Sequence, residues 1–567
     1  MRTICLLAPL LLLLAAGMTA AEEASLIVTG ARVWTGDSDT PWAEAVAVRG
    51  NRILAVGPAA EVMAMRSADT RVIEMPGSFV TPGLIDNHTH FDRAAALILG
   101  VNLLDVADEK QLAMRVREAR DRLPEGAWLV GGDWGAYESW GQGSTGQAME
   151  ERQTGPFLPH REMIDPITPD NPVLLSKWDR TLYLANRLAL ERAGARCDWE
   201  GVDCDAQGRA TGRLTREAAA RIREIIPQKP MSQRLAEARV ALERLRGFGV
   251  TGIHDITSAE QLQVFQELER RGELTVRVYA RPTLDKWEQL AALGIRHGFG
   301  TEWLKIGGLK GFVDGIMGNS SARFYEPYLT SGERGRWREM MQPPGNMERL
   351  LLAADRAGHW PQVHAIGDEA IDTILDLYAR VSEVNGPTDR RLRIIHTQVL
   401  RGPAVARRMA AMGVIAEVQP YHAIDDMRWM EERIGERARW AYAFETLADA
   451  GVLLSFGSDW PGTNASWYPA NPMLGIYAAV TRQTLDGEPA AGWFPEERVD
   501  VKTALEAYTV NTAWAAGEEE IKGSLTPGKL ADLVILDRDL FSIPPAQLKE
   551  VRVLMTVIDG EVVYEAD

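Results

Sequence analysis

Two histidines, His88 and His90, are separated by one residue at the end of an apolar, strand-like run. Residues two apart on a β-strand project from the same face, so both imidazoles can bind one cation. Such a pair is, by itself, as often structural as functional. His364, His396 and Asp459, however, end three later apolar runs, and barrel enzymes carry their reacting groups at the carboxyl ends of strands. Four strand ends with metal-binding side chains predict a metal-dependent active site.

The segment that carries these residues alternates apolar runs with charged stretches of helical periodicity, such as Met231–Phe248 and Asn346–Gly358. This alternation is typical of βα units and predicts a parallel sheet. We predict an α/β fold, a (β/α)8 barrel of the TIM type over residues 79–519, with a large insertion after the first strand at approximately 100–235. The eight predicted strands are Phe79–His90, Gly249–Asp255, Val276–Arg281, Trp303–Asp314, Pro361–His364, Leu392–His396, Val414–Gln419 and Val452–Asp459.

Short alternating strands occur at both ends of the remaining chain. Near the N-terminus two of them meet at a turn at Gly50, and near the C-terminus two meet at a turn at Asp559. Neither piece is long enough to bury a core of its own. We therefore predict that residues 22–78 and 520–567 pair with each other in one composite β-sandwich domain.

The composition is that of a globular protein, with 46% hydrophobic and 25% charged residues and a formal net charge of −17. An acidic chain lacks the basic surface that displaces counterions from nucleic acid, so DNA and RNA are disfavoured as partners. Arg2 is followed by an uncharged run from Thr3 to Ala21, which predicts a secretory signal peptide over residues 1–21. An uncleaved membrane anchor is the alternative. After cleavage we expect an exported protein, periplasmic or secreted, with no stable membrane insertion.

The insertion contains two strand-like runs, Trp128–Asp133 and Val173–Lys177, and a loop with two cysteines, Cys197 and Cys204. In an oxidising compartment two thiols at this spacing are expected to form one disulfide. Two free surface thiols are the alternative. A thiolate metal site is disfavoured because no histidine lies nearby in the sequence.

Six motifs are spread along the chain: Phe79–His90, Gly308–Gly315, Val363–Asp368, Ile395–Gln398, Gly457–Pro461 and Leu525–Leu533. Together, and in this order, they resemble the amidohydrolase superfamily, and within it the YtcJ-like metal-dependent hydrolases that include N-substituted formamide deformylases. The resemblance implies a hydrolase with a two-metal site at the mouth of the barrel. It also implies a small β-sandwich made by both chain ends.

Carried over by position, the resemblance assigns a role to each candidate ligand. His88 and His90 look like ligands of the more buried metal, with Asp459 beside it. His364 and His396 look like ligands of a second metal. The family implies two divalent ions per chain, for which we expect zinc.

Lys310 matches the family lysine that, once carboxylated, bridges the two ions. Imidazoles are neutral, so two divalent ions about 3.5 to 4 Å apart require anionic bridges such as this carbamate. A buried lysine has the lowered pKa that leaves its amine free to react with carbon dioxide. The alternatives are that Lys310 forms an ordinary salt bridge, or that Lys305 on the same strand is the bridge.

The expected reaction follows from these charges. The metal pair lowers the pKa of a shared water, and the resulting hydroxide attacks a carbonyl that one ion polarises. Asp459, next to metal and water, then moves a proton to the leaving nitrogen. His254 and His422 end other strands and are candidates for contacts with the substrate or the developing oxyanion. A packed, hydrogen-bonded position in the core is the alternative for both.

Several aromatic side chains could bind a hydrophobic N-substituent of the substrate. Three lie in the insertion and one follows the predicted catalytic aspartate: Trp134, Tyr137, Trp140 and Trp460. A place in the apolar core is the alternative for each of them.

The sequence thus predicts an exported metal-dependent enzyme that hydrolyses a non-peptide carbon–nitrogen bond, most simply in a small amide. The expected partner is a small-molecule substrate, and a homo-oligomer is left open. Hydrolysis of an ester, lactone or cyclic imide is one alternative. Hydrolytic deamination is another, although it usually needs a single metal and the candidate bridge at Lys310 argues against it. A catalytically inactive exported scaffold is the non-enzyme alternative.

Overall fold

The computed structural model describes residues 23–104, 106, 108–134, 158–178, 180–462 and 468–567. The predicted signal peptide at 1–21 and two candidate aromatic residues, Tyr137 and Trp140, lie outside this part of the chain. None of the helices within the described ranges combines the length and the apolar character that crossing a bilayer requires.

The described strands form four sheets. Those of the N-terminal region and the insertion are β1 (Leu26–Trp34), β2 (Trp42–Arg49), β3 (Arg52–Gly57), β4 (Arg71–Glu74), β5 (Phe79–Pro82), β6 (Leu84–Thr89), β7 (Leu129–Trp134), β8 (Val173–Lys177), β9 (Tyr183–Ala185), β10 (Val202–Cys204) and β11 (Ala210–Leu214). Those of the remaining chain are β12 (Val250–Asp255), β13 (Arg277–Ala280), β14 (Phe299–Gly300), β15 (Leu304–Ile306), β16 (Leu309–Phe312), β17 (Pro361–Ala365), β18 (Arg393–His396), β19 (Ile415–Val418), β20 (Leu454–Phe456), β21 (Leu533–Leu536), β22 (Val553–Ile558) and β23 (Glu561–Glu565).

Helices follow many of the strands, and several bury one apolar face; Val264, Phe265 and Leu268 form such a face. The described α-helices are α1 (Ala59–Met63), α2 (Phe91–Leu99), α3 (Glu109–Arg122), α4 (Arg187–Ala193), α5 (Arg216–Arg223), α6 (Met231–Gly247), α7 (Ala259–Arg270), α8 (Trp287–Ala292), α9 (Asn346–Arg356), α10 (Asp368–Asn385), α11 (Pro403–Ala411), α12 (Pro420–Asp426), α13 (Met430–Ile434), α14 (Phe444–Asp449), α15 (Pro472–Thr481), α16 (Val501–Ala507) and α17 (Val510–Ala516).

Strands from both ends of the chain form one eight-stranded sheet. Its order is β23-β22-β21-β5-β1-β2-β3, and β4 pairs with β1. Antiparallel pairing of β5 with β21, with Val80 opposite Ile535, joins the N-terminal strands to the C-terminal ones. The two predicted hairpins are present as β2–β3 and β22–β23. The expected sandwich and the division into domains stay predictions.

Two parallel sheets contain the eight predicted strand positions. One has the order β6-β12-β13-β15, extended by the short β14, and the other has the order β16-β17-β18-β19-β20. Isolated parallel bridges between Thr89 and Trp460 and between Thr283 and Lys310 connect the two sheets. This mixed α/β arrangement fits a TIM-barrel type.

Two of the predicted strands are each divided in two. The run Phe79–His90 contains β5 in the terminal sheet and β6 in a parallel sheet, and the run Trp303–Asp314 contains β15 and β16. A Cβ at Gly83, between β5 and β6, would collide with the side chain of Thr251. Gly308 lies between β15 and β16, and a Cβ there would collide with the side chain of Gln362. The single-strand prediction is wrong here because an apolar run does not reveal where a chain leaves one sheet for another.

The insertion has its own five-stranded sheet in the order β10-β11-β9-β8-β7. Its strands β7 and β8 correspond to the two predicted runs, with β7 displaced by one residue. The structure contains the predicted disulfide between Cys197 and Cys204, whose Cα atoms are 6.0 Å apart. The disulfide joins the start of the cysteine loop to the end of β10.

A buried ion-pair cluster fastens the terminal sheet to a parallel sheet. Arg277 in β13 donates hydrogen bonds to both carboxylate oxygens of Asp532, at 2.6 and 2.8 Å, and one to Asp559 at 2.9 Å. The side chain of Arg277 is only 2% exposed. A bidentate pair of this kind fixes orientation as well as distance, so the cluster sets how the two sheets meet.

Candidate active site

One cavity of about 430 Å³ lies at the carboxyl ends of the parallel strands. Parallel strands bring residues that are far apart in the sequence to one edge of a sheet, and this is why the predicted ligands converge. Six predicted metal-site residues line the cavity: His88 at the end of β6, His90 just after it, Lys310 in β16, His364 in β17, His396 in β18 and Asp459 after β20.

The tightest group consists of His88, His90 and Asp459, whose ligand atoms all lie within 4.8 Å of one another. Asp459 Oδ1 is 3.4 Å from His88 Nε2 and 3.1 Å from His90 Nε2. Asp459 has a φ of 57°, a left-handed conformation that is uncommon for a residue other than glycine. These distances suit three side chains that share one cation.

Glu417 in β19 sets the orientation of His88. His88 Nδ1 lies 2.9 Å from Glu417 Oε1, and both side chains are fully buried. Burial, together with the charge of Lys310, holds the pKa of His88 well below its usual range, so the imidazole is neutral. A neutral imidazole that donates Nδ1–H to a carboxylate presents the lone pair of Nε2 to a cation.

Asp459 offers an anionic ligand in the same group. Burial would raise its pKa, but the imidazoles of His88 and His90 outweigh burial and hold the pKa well below the usual range. His88 Nε2 and Asp459 Oδ1 are buried and lack a well-formed hydrogen bond to any described residue. Two buried, unsatisfied ligand atoms that face each other fit a divalent cation, and nitrogen and oxygen donors suit a transition metal such as zinc.

His364 and His396 form the second group, with ring centroids 4.6 Å apart. The ring of His396 is also 5.1 Å from that of His88, so the two groups are contiguous. His396 Nδ1 lies 2.7 Å from Gln419 Oε1, which leaves Nε2 available to a cation. His364 Nε2 lies 2.9 Å from the carbonyl oxygen of Gly315, which leaves Nδ1. Burial holds the pKa of His396 well below its usual range, so this imidazole is neutral.

Lys310 is the buried basic residue of the cavity. Its Nζ is 4.9 Å from the ring centroid of Phe312 and forms no hydrogen bond or ion pair within the described ranges. Burial and the charge of Arg281 lower the pKa of Lys310 to about 7, so an appreciable fraction of the amine is neutral near pH 7. Lys305, the alternative bridge, does not line the cavity and pairs with Glu518 at 2.7 Å.

Comparison with known proteins decides the family. Residues 71–564 match the family model described as the amidohydrolase family. The chain belongs to the amidohydrolase family. This membership confirms the resemblance in the sequence and is consistent with a hydrolase of carbon–nitrogen bonds that acts on small molecules.

Individual relatives of this amidohydrolase extend over nearly its whole length. It is 34% identical to the protein LONG AFTER FAR-RED 3 of Arabidopsis thaliana, over 95% of this chain and 92% of the relative. It is 28% identical to the N-substituted formamide deformylase of Arthrobacter pascens, over 95% and 98%. The crystal structure of an uncharacterized metal-dependent hydrolase from Pyrococcus furiosus superimposes with a TM-score of 0.71 and 26% identity, over 91% and 100%. The shared architecture therefore includes the parallel sheets that carry the candidate ligands.

Three of the predicted substrate contacts do not line the cavity of this amidohydrolase. Trp134 is buried in the core of the insertion, and Trp460 packs beside Phe91 with ring centroids 6.2 Å apart. His254 is fully buried, and its Nδ1 lies 3.0 Å from Arg393 Nη1. Trp134, Trp460 and His254 therefore occupy core positions, as the alternative interpretation of the sequence predicted.

His422, in contrast, does line the cavity. It lies on α12, which begins directly after Gln419, and its Nε2 is 3.9 Å from Asp459 Oδ2. Its ring packs 4.4 Å from that of Tyr468, and burial lowers its pKa. The imidazole is thus held beside the candidate ligands, where Nε2 can reach an oxygen atom of a bound molecule.

A buried charged network around Glu417 is missing from the sequence-based prediction. Arg281 Nη1 donates to Glu417 Oε1 at 2.7 Å, and Arg393 Nη1 lies 3.2 Å from Oε2. Burial would raise the pKa of Glu417, but the two guanidinium groups lower it below its usual value. The sequence held a signal: Glu417 and Gln419 are two apart in an apolar run and so share one face of the strand. Both contact candidate ligands.

Proposed function

We propose that this protein is an exported, metal-dependent amidohydrolase that cleaves the non-peptide carbon–nitrogen bond of a small amide. The observation that carries the proposal is the convergence of His88, His90 and Asp459 on the cavity that also contains Lys310 and a second histidine pair. Family membership supports hydrolysis, and the similarity to an N-substituted formamide deformylase favours an amide as the substrate.

His88, His90 and Asp459 would hold one zinc ion, and His364 and His396 a second. A divalent ion, when bound, lowers the pKa of a water molecule and polarises a carbonyl group. Lys310 would add carbon dioxide to its neutral amine, forming a nitrogen–carbon bond and releasing a proton. The resulting anionic carbamate offsets the charge that the neutral imidazoles leave unbalanced.

Asp459 is suited to carry the proton. Its Oδ1 faces the imidazoles of His88 and His90, whereas its Oδ2 is 3.9 Å from His422 Nε2. The ionised carboxylate would accept a proton from the attacking water and deliver it to the leaving nitrogen. His422 would donate a hydrogen bond to the carbonyl oxygen as negative charge develops there. Because these side chains are largely buried, their electrostatic interactions are stronger than they would be in water.

Metal analysis of the purified protein, combined with assays on N-formyl, N-acetyl, lactone and amino-heterocycle substrates, tests the proposal. We expect two ions per chain and an amide hydrolysis that chelation abolishes and zinc restores. One ion per chain with deamination of the heterocycle would indicate a deaminase, and turnover of the lactone alone would indicate a lactone hydrolase. A protein that binds no metal and turns over none of these substrates would be an inactive scaffold.

A matched pair of lysine variants tests the bridge. We expect Lys310→Ala to bind at most one ion tightly and to lose activity, because the anionic bridge is gone. We expect Lys305→Ala to keep two ions, since Lys305 pairs with Glu518 outside the cavity. The opposite pattern in the metal content of the two variants would move the bridge to Lys305.

We further propose that the two parallel sheets close into one (β/α)8 barrel, with residues 22–78 and 520–567 as a separate β-sandwich domain. The bridges at Thr89 and Thr283 support closure. Export by residues 1–21 to the periplasm or the medium is supported by the disulfide, because disulfides persist in oxidising compartments.

A further inference from the structure

We propose that the substrate carries an anionic group, such as a carboxylate, that Arg338 binds at the rim of the active-site cavity. The inference rests on the proposed function and adds a substrate class to it. Arginine is suited to this task because its planar guanidinium donates two parallel hydrogen bonds to one carboxylate.

Three lysine or arginine side chains line the described part of the cavity, and two of them have other roles. Arg93 donates to the carbonyl oxygen of Gly462 at 3.1 Å and to Asp133 at 3.2 Å. Lys310 lies buried in β16 as the candidate bridge. Arg338 is exposed, and its guanidinium has no hydrogen-bond or ion-pair partner within the described ranges. It is therefore the lining cation that remains available to a ligand.

Four carboxylates line the cavity. Asp459 faces His88 and His90, and the exposed Asp92 accepts a hydrogen bond from the backbone N–H of Arg93 at 2.6 Å. Asp314 accepts hydrogen bonds from three backbone N–H groups, those of Arg323, Ile366 and Gly367. Asp426 accepts hydrogen bonds from the Tyr442 hydroxyl and from the Gln398 amide at one oxygen. None of these four carboxylates forms an ion pair with Arg338 within the described ranges, so the guanidinium can pair with a ligand anion.

The backbone holds Arg338 at the cavity. Its N–H donates to the carbonyl oxygen of Val313 at 2.8 Å, directly after β16. The preceding residue, Trp337, forms an antiparallel bridge with Asp314. Because two consecutive residues are tied to the end of β16, the strand that carries Lys310 also determines where the guanidinium stands.

Contacts with the ring of Phe312 limit the distance between the guanidinium of Arg338 and Lys310. Arg338 Cζ is 5.8 Å and Lys310 Nζ is 4.9 Å from the centroid of the same ring. The separation of Arg338 Cζ and Lys310 Nζ therefore cannot exceed the sum of these two distances. A small molecule can span that separation. Phe312, Ile316 and Met317 offer an apolar wall for the carbon skeleton in between. An amide that also bears a carboxylate a few bonds away, such as an N-acyl amino acid, matches this spacing.

The test compares N-formylphenylalanine with N-formyl-2-phenylethylamine, which is the same molecule without the carboxylate. Formate release by the zinc-loaded full chain gives kcat/KM, and calorimetry gives Kd for each compound. We expect the wild-type protein to favour the carboxylate by about tenfold, the effect of one charge-assisted hydrogen-bonded contact at a partly exposed site. Calorimetry registers this preference even if neither bond is cleaved.

Arg338→Gln removes the proposed contact, and Arg336→Gln is its matched control. Both variants lose one positive charge. Arg336 is exposed and lies two residues away, but it does not line the cavity. For N-formylphenylalanine, we expect Arg338→Gln to lower kcat/KM about tenfold and to raise Kd about tenfold. For the neutral analogue, we expect both values to change by less than about twofold. Arg338→Lys should lose part of the preference because it keeps the charge without the planar fork.

Each outcome decides the inference. Equal loss for both compounds in Arg338→Gln, or equal loss in Arg336→Gln, would overturn the role of Arg338 while leaving amide hydrolysis intact. A wild-type protein that binds both compounds equally would overturn it as well. Failure of the proposed function looks different: neither compound is cleaved, yet the carboxylate preference in Kd, and its dependence on Arg338, persist.

Discussion

At the scale of single residues, Glu417 connects the candidate metal site to the charged interior between the sheets. Its carboxylate contacts His88 on one side and Arg281 and Arg393 on the others, and all four side chains are fully buried. An imidazole held in this way has one tautomer and one ring orientation. Metal affinity should therefore depend on a residue that is not itself a ligand.

We expect Glu417→Gln to weaken zinc binding by about 10- to 100-fold, because a neutral amide lowers the basicity of His88 and leaves two guanidinium groups without a counter-charge. Competition with a chromogenic chelator measures the Kd directly. Glu339→Gln, at an exposed position outside the cavity, is the control and should bind zinc as the wild type does. An unchanged Kd in Glu417→Gln would show that His88 keeps its orientation without the carboxylate.

The sequence predicted the cavity-lining histidines and Asp459 but not Glu417 or Arg281. Histidine and aspartate at strand ends indicate metal chemistry by their type alone. The roles of Glu417 and Arg281 depend on which strands are neighbours and on which face each side chain takes, and neither is visible in one strand. For the same reason the aromatic residues Trp134 and Trp460 could not be assigned to the core before the packing was known.

At the scale of elements, Arg277 joins β13 to the turn regions of the terminal sheet. Replacing it by alanine leaves Asp532 buried without its partner, and breaking a buried pair in this way costs about 3–5 kcal/mol. We expect Arg277→Ala to lower the free energy of unfolding in urea by this amount. Arg239→Ala breaks an exposed pair with Glu273 and should cost less than about 1 kcal/mol. Similar losses in the two variants would mean that the cluster is not what holds the sheets together.

A second buried cluster gives the fold a pH dependence. Glu518, after α17, pairs with Lys305 at 2.7 Å and with Lys522 at 2.6 Å. Burial would raise the pKa of Glu518, but the two lysines lower it from 4.5 to about 2. A lowered pKa means that the ionised carboxylate stabilises the folded state above pH 4.5, and that this contribution is lost as the pH falls toward 2.

Urea unfolding at several pH values between 5 and 2 measures this contribution. We expect the free energy of unfolding of the wild type to fall by roughly 1–3 kcal/mol more than that of Glu518→Gln over this range. Glu243→Gln, at an exposed helix position, should follow the wild-type curve. If the free energy of unfolding depended on pH in the same way in the wild type and in Glu518→Gln, Glu518 would not contribute to the acid sensitivity.

Strand positions were more predictable than strand partners. The predicted runs at the eight barrel positions all contain observed strands, because period-two and continuous apolar patterns are local properties. The divisions at Gly83 and Gly308 were not predicted, since they follow from close contacts with Thr251 and Gln362 on other strands. Local patterns thus fixed the elements, and long-range contacts decided which sheet each element joined.

At the scale of the whole molecule, the disulfide and the apolar N-terminal segment make a joint prediction. Protein recovered from the periplasm or medium should begin at residue 22, and reduction should raise its mass by about 2 Da as one disulfide opens. Intact mass spectrometry measures both changes. A Cys197→Ser variant, which cannot form the bond, should show no mass change on reduction. Recovery of the uncleaved chain with three alkylatable thiols, those of Cys5, Cys197 and Cys204, would contradict both parts.

The pairing of β5 with β21 has a consequence for biosynthesis. The partner of β5 lies near the far end of the chain, so a chain that is exported from its N-terminal end exposes the first strands before the strand that covers them. Until then β5 has an open hydrogen-bonding edge, which invites pairing with other chains. A contact between residues so distant in the sequence also closes slowly. Folding of the exported chain should therefore depend on a chaperone that shields the early strands until β21 has emerged.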